Sequence, residues 1–147
     1  MNPDFLALLR ELSAADARYL IVGAYAVTFH SRPRGTGHLD LWVAPAAENP
    51  GRVYQALKRF GAPLAQLTLD DFTRPETVVQ VGVPPRRIDL LTSLTGLEFE
   101  SAWSSHVEGR FGDLICPFIG RDDLIRNKLA LGRARDLADV EMMRGGE

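Results

Sequence analysis

The feature that most constrains this chain is a short apolar run that ends on a glycine and resumes as a helix. Arg18-Tyr-Leu-Ile-Val22 has the length and continuity of a buried strand, and Gly23 interrupts it. Ala24 to Phe29 then reads as helix. A strand needs neighbours to pair with and a helix needs a face to cover, so the segment calls for a layered fold. Glycine at such a turn lets another group approach the backbone, and the helix start offers unpaired N–H groups to an anion. Many strand–helix turns carry glycine merely to make the turn, so this feature alone is weak.

The rest of the chain supplies the other layers. Asn2-Pro3 is a helix start, and Phe5, Leu6, Leu9 and Leu12 recur at helical spacing to about Ala15. Ser31 to Gly37 is dense in turn and basic residues and reads as a loop. His38-Leu-Asp-Leu-Trp-Val43 alternates polar and apolar as a strand with one functional or solvated face, and Pro45 ends it. A helix is expected over Val53–Phe60, stopped by Gly61 and Pro63. Thr77–Val83 and Arg87–Leu91 flank Pro84-Pro85 as a hairpin, and a short helix follows around Phe99–Trp103. His106–Phe111 and Asp113–Phe118 form a second strand pair. Two helical stretches with a break near Gly132 close the chain. This order predicts an α/β (α+β) domain with a mixed sheet flanked by helices, and one domain over residues 1–147.

Composition narrows the function classes. The 147 residues contain 17 basic and 19 acidic side chains, a net charge of −2 that argues against a strong non-specific grip on nucleic acid. The single cysteine, Cys116, excludes an internal disulfide framework and reads as a small buried hydrophobe. No apolar run approaches the roughly 20 residues of a membrane span, and no signal-peptide pattern opens the chain. A cytoplasmic protein without a membrane partner is the expectation. Trp42 and Trp103 are read as core, and His30 and His106 as ordinary polar residues.

Two further features carry chemistry beside Gly23. His38 and Asp40 lie two apart on a strand, so both side chains emerge on one face. Asp89 sits between Ile88 and Leu90, where a carboxylate is awkward to bury unless paired or bound to metal. Either feature alone is equally compatible with a solvated strand face.

Taken in order, Tyr19-Leu-Ile-Val-Gly-Ala-Tyr-Ala-Val27, Arg34-x-Thr36-x-His38-Leu-Asp40-Leu-Trp-Val43 and Arg87-Ile-Asp89-Leu resemble the nucleotidyltransferase superfamily of the DNA polymerase β type. The closing Asp123-Leu-Ile-x-x-Lys128-x-Ala-x-Gly-Arg133-x-x-Asp136-x-x-Asp139-Val-Glu141 is similar to small bacterial nucleotidyltransferase-like proteins related to AbiEii-type toxins of toxin–antitoxin systems. The resemblance spans residues 18 to 143. It implies a nucleotidyltransferase-like fold and metal-dependent transfer of a nucleoside monophosphate from a nucleoside triphosphate (NTP) to a hydroxyl acceptor. Asp40 and Asp89 would be the catalytic carboxylates, and His38, Asp40 and Asp89 the metal positions. Gly23 and Ala24 would hold phosphate, with Arg34, Thr36 and Lys128 as further nucleotide contacts. The acceptor stays open among a protein hydroxyl, a transfer-RNA end and a small molecule, as does a homo-oligomeric state.

Two positions depart from the superfamily pattern. Ala24 stands where glycine or serine is usual, which keeps the backbone N–H and removes a hydroxyl. His38 stands where the first acidic ligand is usual. An imidazole offers one lone pair, cannot bridge two metals and is a poor magnesium ligand. Mg2+ or Mn2+ is the expected cofactor, and His38 shifts the balance toward manganese, zinc or a single ion. The alternative is a catalytically inactive module that senses nucleotide or binds protein. Arg32, Arg86 and Arg87 are either phosphate contacts or solvated loop charges, while Asp136 and Asp139 are read as helix salt bridges of small energy.

Overall fold

The structure, a computed structural model, describes residues 2–32 and 37–145. The chain runs through α1 (Pro3–Ala14), β1 (Tyr19–Val22), α2 (Gly23–His30), β2 (His38–Val43) and α3 (Asn49–Phe60). A short 3-10 turn at Leu69–Phe72 leads to β3 (Val78–Val81), β4 (Arg87–Leu91) and α4 (Phe99–Ser104). Then come β5 (Val107–Phe111), β6 (Leu114–Phe118), α5 (Arg121–Leu131) and α6 (Ala134–Arg144). Among the described residues no helix is long and apolar enough to cross a membrane.

Local chemistry explains most of these boundaries. The Asn2 side chain accepts the Asp4 N–H, and Pro3 occupies the first turn of α1. Gly61 at φ 93° and Gly132 at φ 68° end α3 and α5 in the left-handed conformation that favours glycine. Helix α3 begins earlier than its apolar spacing predicts, because Asn49 is held by backbone rather than by side-chain periodicity. Its amide oxygen accepts the Arg18 N–H at 2.6 Å, and its nitrogen donates to the carbonyls of Ala44 at 2.8 Å and Arg18 at 3.0 Å. Asn49 thereby ties the start of β1, the end of β2 and the start of α3 together.

The six strands form one mixed sheet in the order β3-β4-β2-β1-β6-β5. Strands β2 and β4 are parallel, as are β1 and β6, and the remaining pairs are antiparallel. Both expected hairpins, β3–β4 and β5–β6, are present. One face buries Tyr19, Ile21, Leu39, Leu41 and Leu90 against Phe5, Leu8, Leu9 and Leu12 of α1 and Val53 and Leu57 of α3. Buried Cys116 belongs to the same cluster, and burial pushes its thiol pKa up, so it is a poor nucleophile. The other face buries Leu20, Val22, Trp42 and Ala44 under residues of α2, α4, α5 and α6.

That second face changes character along β2. Trp42 and Ala44 are core, whereas Asp40 and His38, on the same side of the strand, are only partly buried. Burial of large apolar side chains, at about 1.5–3 kcal/mol each, anchors the strand at one end. The other end is left polar, and the site lies there.

Candidate functional site

Parallel pairing of β2 with β4 sets Asp40 opposite Asp89 and His38 opposite Arg87. The result is a two-by-two arrangement on one face of adjacent strands. One ligand atom each from His38, Asp40 and Asp89 lies within 4.8 Å of the other two. Residues separated by about a third of the chain therefore converge on one face.

Gly23 completes the arrangement from the neighbouring strand. Val22 pairs with Asp40 across β1 and β2, and Gly23 follows it at φ 67°. A Cβ at Gly23 would overlap Asp40 Oδ2. The glycine is thus required twice, by its backbone conformation and by the carboxylate packed against it. Helix α2 starts at the same place with no side-chain cap on its first N–H groups, and Ala24 lies in that first turn.

Each carboxylate carries a basic partner two residues earlier on its own strand. His38 Nε2 lies 3.3 Å from Asp40 Oδ1. Arg87 grips Asp89 with both arms, Nε donating to Oδ1 at 2.9 Å and Nη2 to Oδ2 at 2.7 Å. This corrects the reading of Arg87 as a solvated loop charge: it is a strand residue bonded to Asp89. The Arg-x-Asp spacing on a strand is the same signal that singled out His38-x-Asp40, and it was legible in the same way. Arg86, by contrast, lies on the loop with its Nε 3.7 Å from Asp4 Oδ2.

The electrostatics of the two carboxylates differ. Burial is the largest influence on Asp40 and raises its pKa above the usual 3.8. His38 opposes that shift, the nearby Asp89 adds to it, and Arg87 opposes it more weakly. Bonding to Asp89 raises the pKa of Arg87, so this guanidinium is a fixed positive charge. One imidazole nitrogen and two converging carboxylates fit a divalent cation. They suit a pair of magnesium ions poorly, since His38 supplies a single lone pair, cannot bridge and is a nitrogen donor, and the Arg87 charge already lies against Asp89.

Lys128 is held between the last two helices. Its Nζ lies 3.1 Å from Asp139 and 3.5 Å from Asp136, and all three side chains are buried. Arg133 adds two bonds to Asp136, at 2.6 and 3.1 Å. These are not the low-energy surface bridges expected of Asp136 and Asp139, because Asp136 is 0% exposed. Arg34 and Thr36 lie outside the described residues.

No protein-family model and no curated protein matches the chain. Among solved structures it is similar to an antibiotic adenylyltransferase, and the chain has a nucleotidyltransferase-like fold. One matching structure is the lincomycin-bound crystal structure of a lincosamide antibiotic adenylyltransferase, LnuA, with a TM-score of 0.60. The alignment covers 98% of this chain and 96% of that one at 11% identity, so the likeness is one of fold.

Proposed function

We propose that the His38–Asp40–Asp89 face binds an NTP with a divalent cation and transfers the nucleoside monophosphate to a hydroxyl acceptor. The observation that carries this reading is the convergence of three ligand atoms from β2 and β4 within 4.8 Å, with Gly23 packed against Asp40. In a fold shared with an adenylyltransferase, that is where charge on a triphosphate can be met. The sequence motifs that resemble the DNA polymerase β type superfamily and AbiEii-like proteins support the same reading.

In this scheme the acceptor oxygen attacks the α-phosphorus, the bond to the β-phosphate oxygen breaks, and pyrophosphate leaves. The hydroxyl proton passes to a carboxylate of this face. Burial raises the proton affinity of Asp40, and both Asp89 oxygens accept Arg87. When bound, the cation supplies the charge that offsets the triphosphate. The α2 start at Gly23 and Ala24 meets phosphate oxygens with backbone N–H groups. Arg34 and Thr36 are assigned to the same nucleotide. For Lys128 to reach it, phosphate must compete with Asp136 and Asp139 for Nζ.

The acceptor is assigned to the hydroxyl class without further choice among protein, transfer RNA and small molecule. A second reading, nucleotide binding without transfer, is favoured by one observation: Arg87 already neutralises Asp89. Photocrosslinking of α-labelled NTPs, with and without Mn2+, tests the shared step. Cation-dependent labelling that Asp40→Asn abolishes is expected, and labelling that persists in that variant overturns the site assignment. Pyrophosphate release over a panel of hydroxyl acceptors then separates transfer from binding alone.

A further inference from the structure

Resting on that reading of the site, we infer that this face takes one divalent cation, of the kind that accepts an imidazole ligand, and that Arg87 stands in for the charge of a second. The charge balance leads there. Three carboxylates with two divalent cations leave one net positive charge on a polymerase-β-type site. Two carboxylates, one guanidinium and one divalent cation leave the same. A second divalent cation would add two further positive charges beside Arg87, with no carboxylate to offset them.

Geometry agrees with the count. Arg87 is built into β4 beside His38 and holds both oxygens of Asp89 at 2.7–2.9 Å. Each Asp89 oxygen keeps a lone pair, so the carboxylate can serve as one ligand. A second cation on it would lie beside the guanidinium charge that both oxygens already offset. His38 Nε2 faces Asp40 at 3.3 Å, and an ion between them would have one nitrogen and carboxylate oxygens as donors. Manganese, cobalt and zinc accept that mixed set, whereas magnesium prefers oxygen alone in a regular octahedron.

The test is metal binding by the full chain with no nucleotide present. Equilibrium dialysis against Mn2+, Co2+, Zn2+ and Mg2+ should give about one equivalent of each transition ion, with Mg2+ weaker by about tenfold or more. Bound Mn2+ should show nitrogen-14 modulation in its electron spin echo, which His38→Asp removes while narrowing the gap to Mg2+. Arg87→Gln should raise the stoichiometry toward two, with circular dichroism confirming that each variant is folded. Two equivalents in the unaltered chain, or a single equivalent without nitrogen coupling, overturns the inference. Neither of those results touches the nucleotide site, which fails separately if NTP crosslinking is absent. No metal uptake at all, with crosslinking independent of cation, overturns the inference and leaves nucleotide binding standing.

Discussion

Two ion clusters in this molecule have almost the same composition and opposite characters. On the β2–β4 face, Asp40 and Asp89 meet His38 and Arg87. Between α5 and α6, Asp136 and Asp139 meet Lys128 and Arg133. The helical cluster is closed: its two carboxylates and Lys128 are buried, and two full cations match two anions. The strand cluster is open at one side, and its second base is an imidazole. With that imidazole in its neutral, metal-ligating form, one negative charge is left over. Composition therefore does not separate a structural cluster from a binding one. Burial and residual charge do.

Substitutions can break this contrast, and the largest effect is expected in the closed cluster. Lys128→Ala removes the buried cation shared by Asp136 and Asp139 and should destabilise the fold by about 3–5 kcal/mol in urea unfolding, with little change in the midpoint from added Mn2+. In the open cluster, Asp40→Asn should leave stability nearly intact and weaken cation-dependent nucleotide binding by about a hundredfold, roughly 2.7 kcal/mol, by calorimetry. An unfolded Asp40→Asn or an unaffected Lys128→Ala would invert the comparison.

Gly23→Ala sits between these. Its left-handed backbone costs a non-glycine residue about 1–2 kcal/mol, and the added Cβ overlaps Asp40 Oδ2. Thermal unfolding should register the first effect and metal titration the second. The smallest effect concerns acid. Bonding from Arg133 is the main reason that Asp136 is held below the usual 3.8. The folded state therefore gains stability from Asp136 above the ordinary carboxylate range and loses it as pH falls through the lowered value. Arg133→Ala, at a half-exposed guanidinium, should cost about 1 kcal/mol or less near neutrality and move the acid-unfolding midpoint upward.

How much was legible beforehand follows from the same contrast. The element order, both hairpins and the buried strand ending at Gly23 were readable, because period and turn residues are local signals. The early start of α3 was not, since Asn49 is fixed by carbonyls of two other segments. The 3-10 turn at Leu69–Phe72, stabilised by a Thr68–Asp71 capping box, is too short to show a period. His38, Asp40, Asp89 and Gly23 could be named from spacing, but their proximity depends on β4 pairing parallel to β2, a non-local event. The Arg87 grip on Asp89 was available from the same two-residue spacing that marked His38 and Asp40. What hid it was its place beside Arg86, which grouped the two as one basic cluster although Arg87 opens the strand. The burial of Lys128 with Asp136 and Asp139 needs the packing of α5 on α6, which no single helix reveals.

The most direct test of the central claim is calorimetric titration of the full chain with each NTP in Mn2+ and in Mg2+, alongside Asp40→Asn. Binding of at least one NTP that requires a divalent cation, is stronger with Mn2+ and is weakened about a hundredfold in Asp40→Asn is the expected result. Absence of binding with either ion, or equal binding by the variant, would contradict a nucleotide site on the His38–Asp40–Asp89 face.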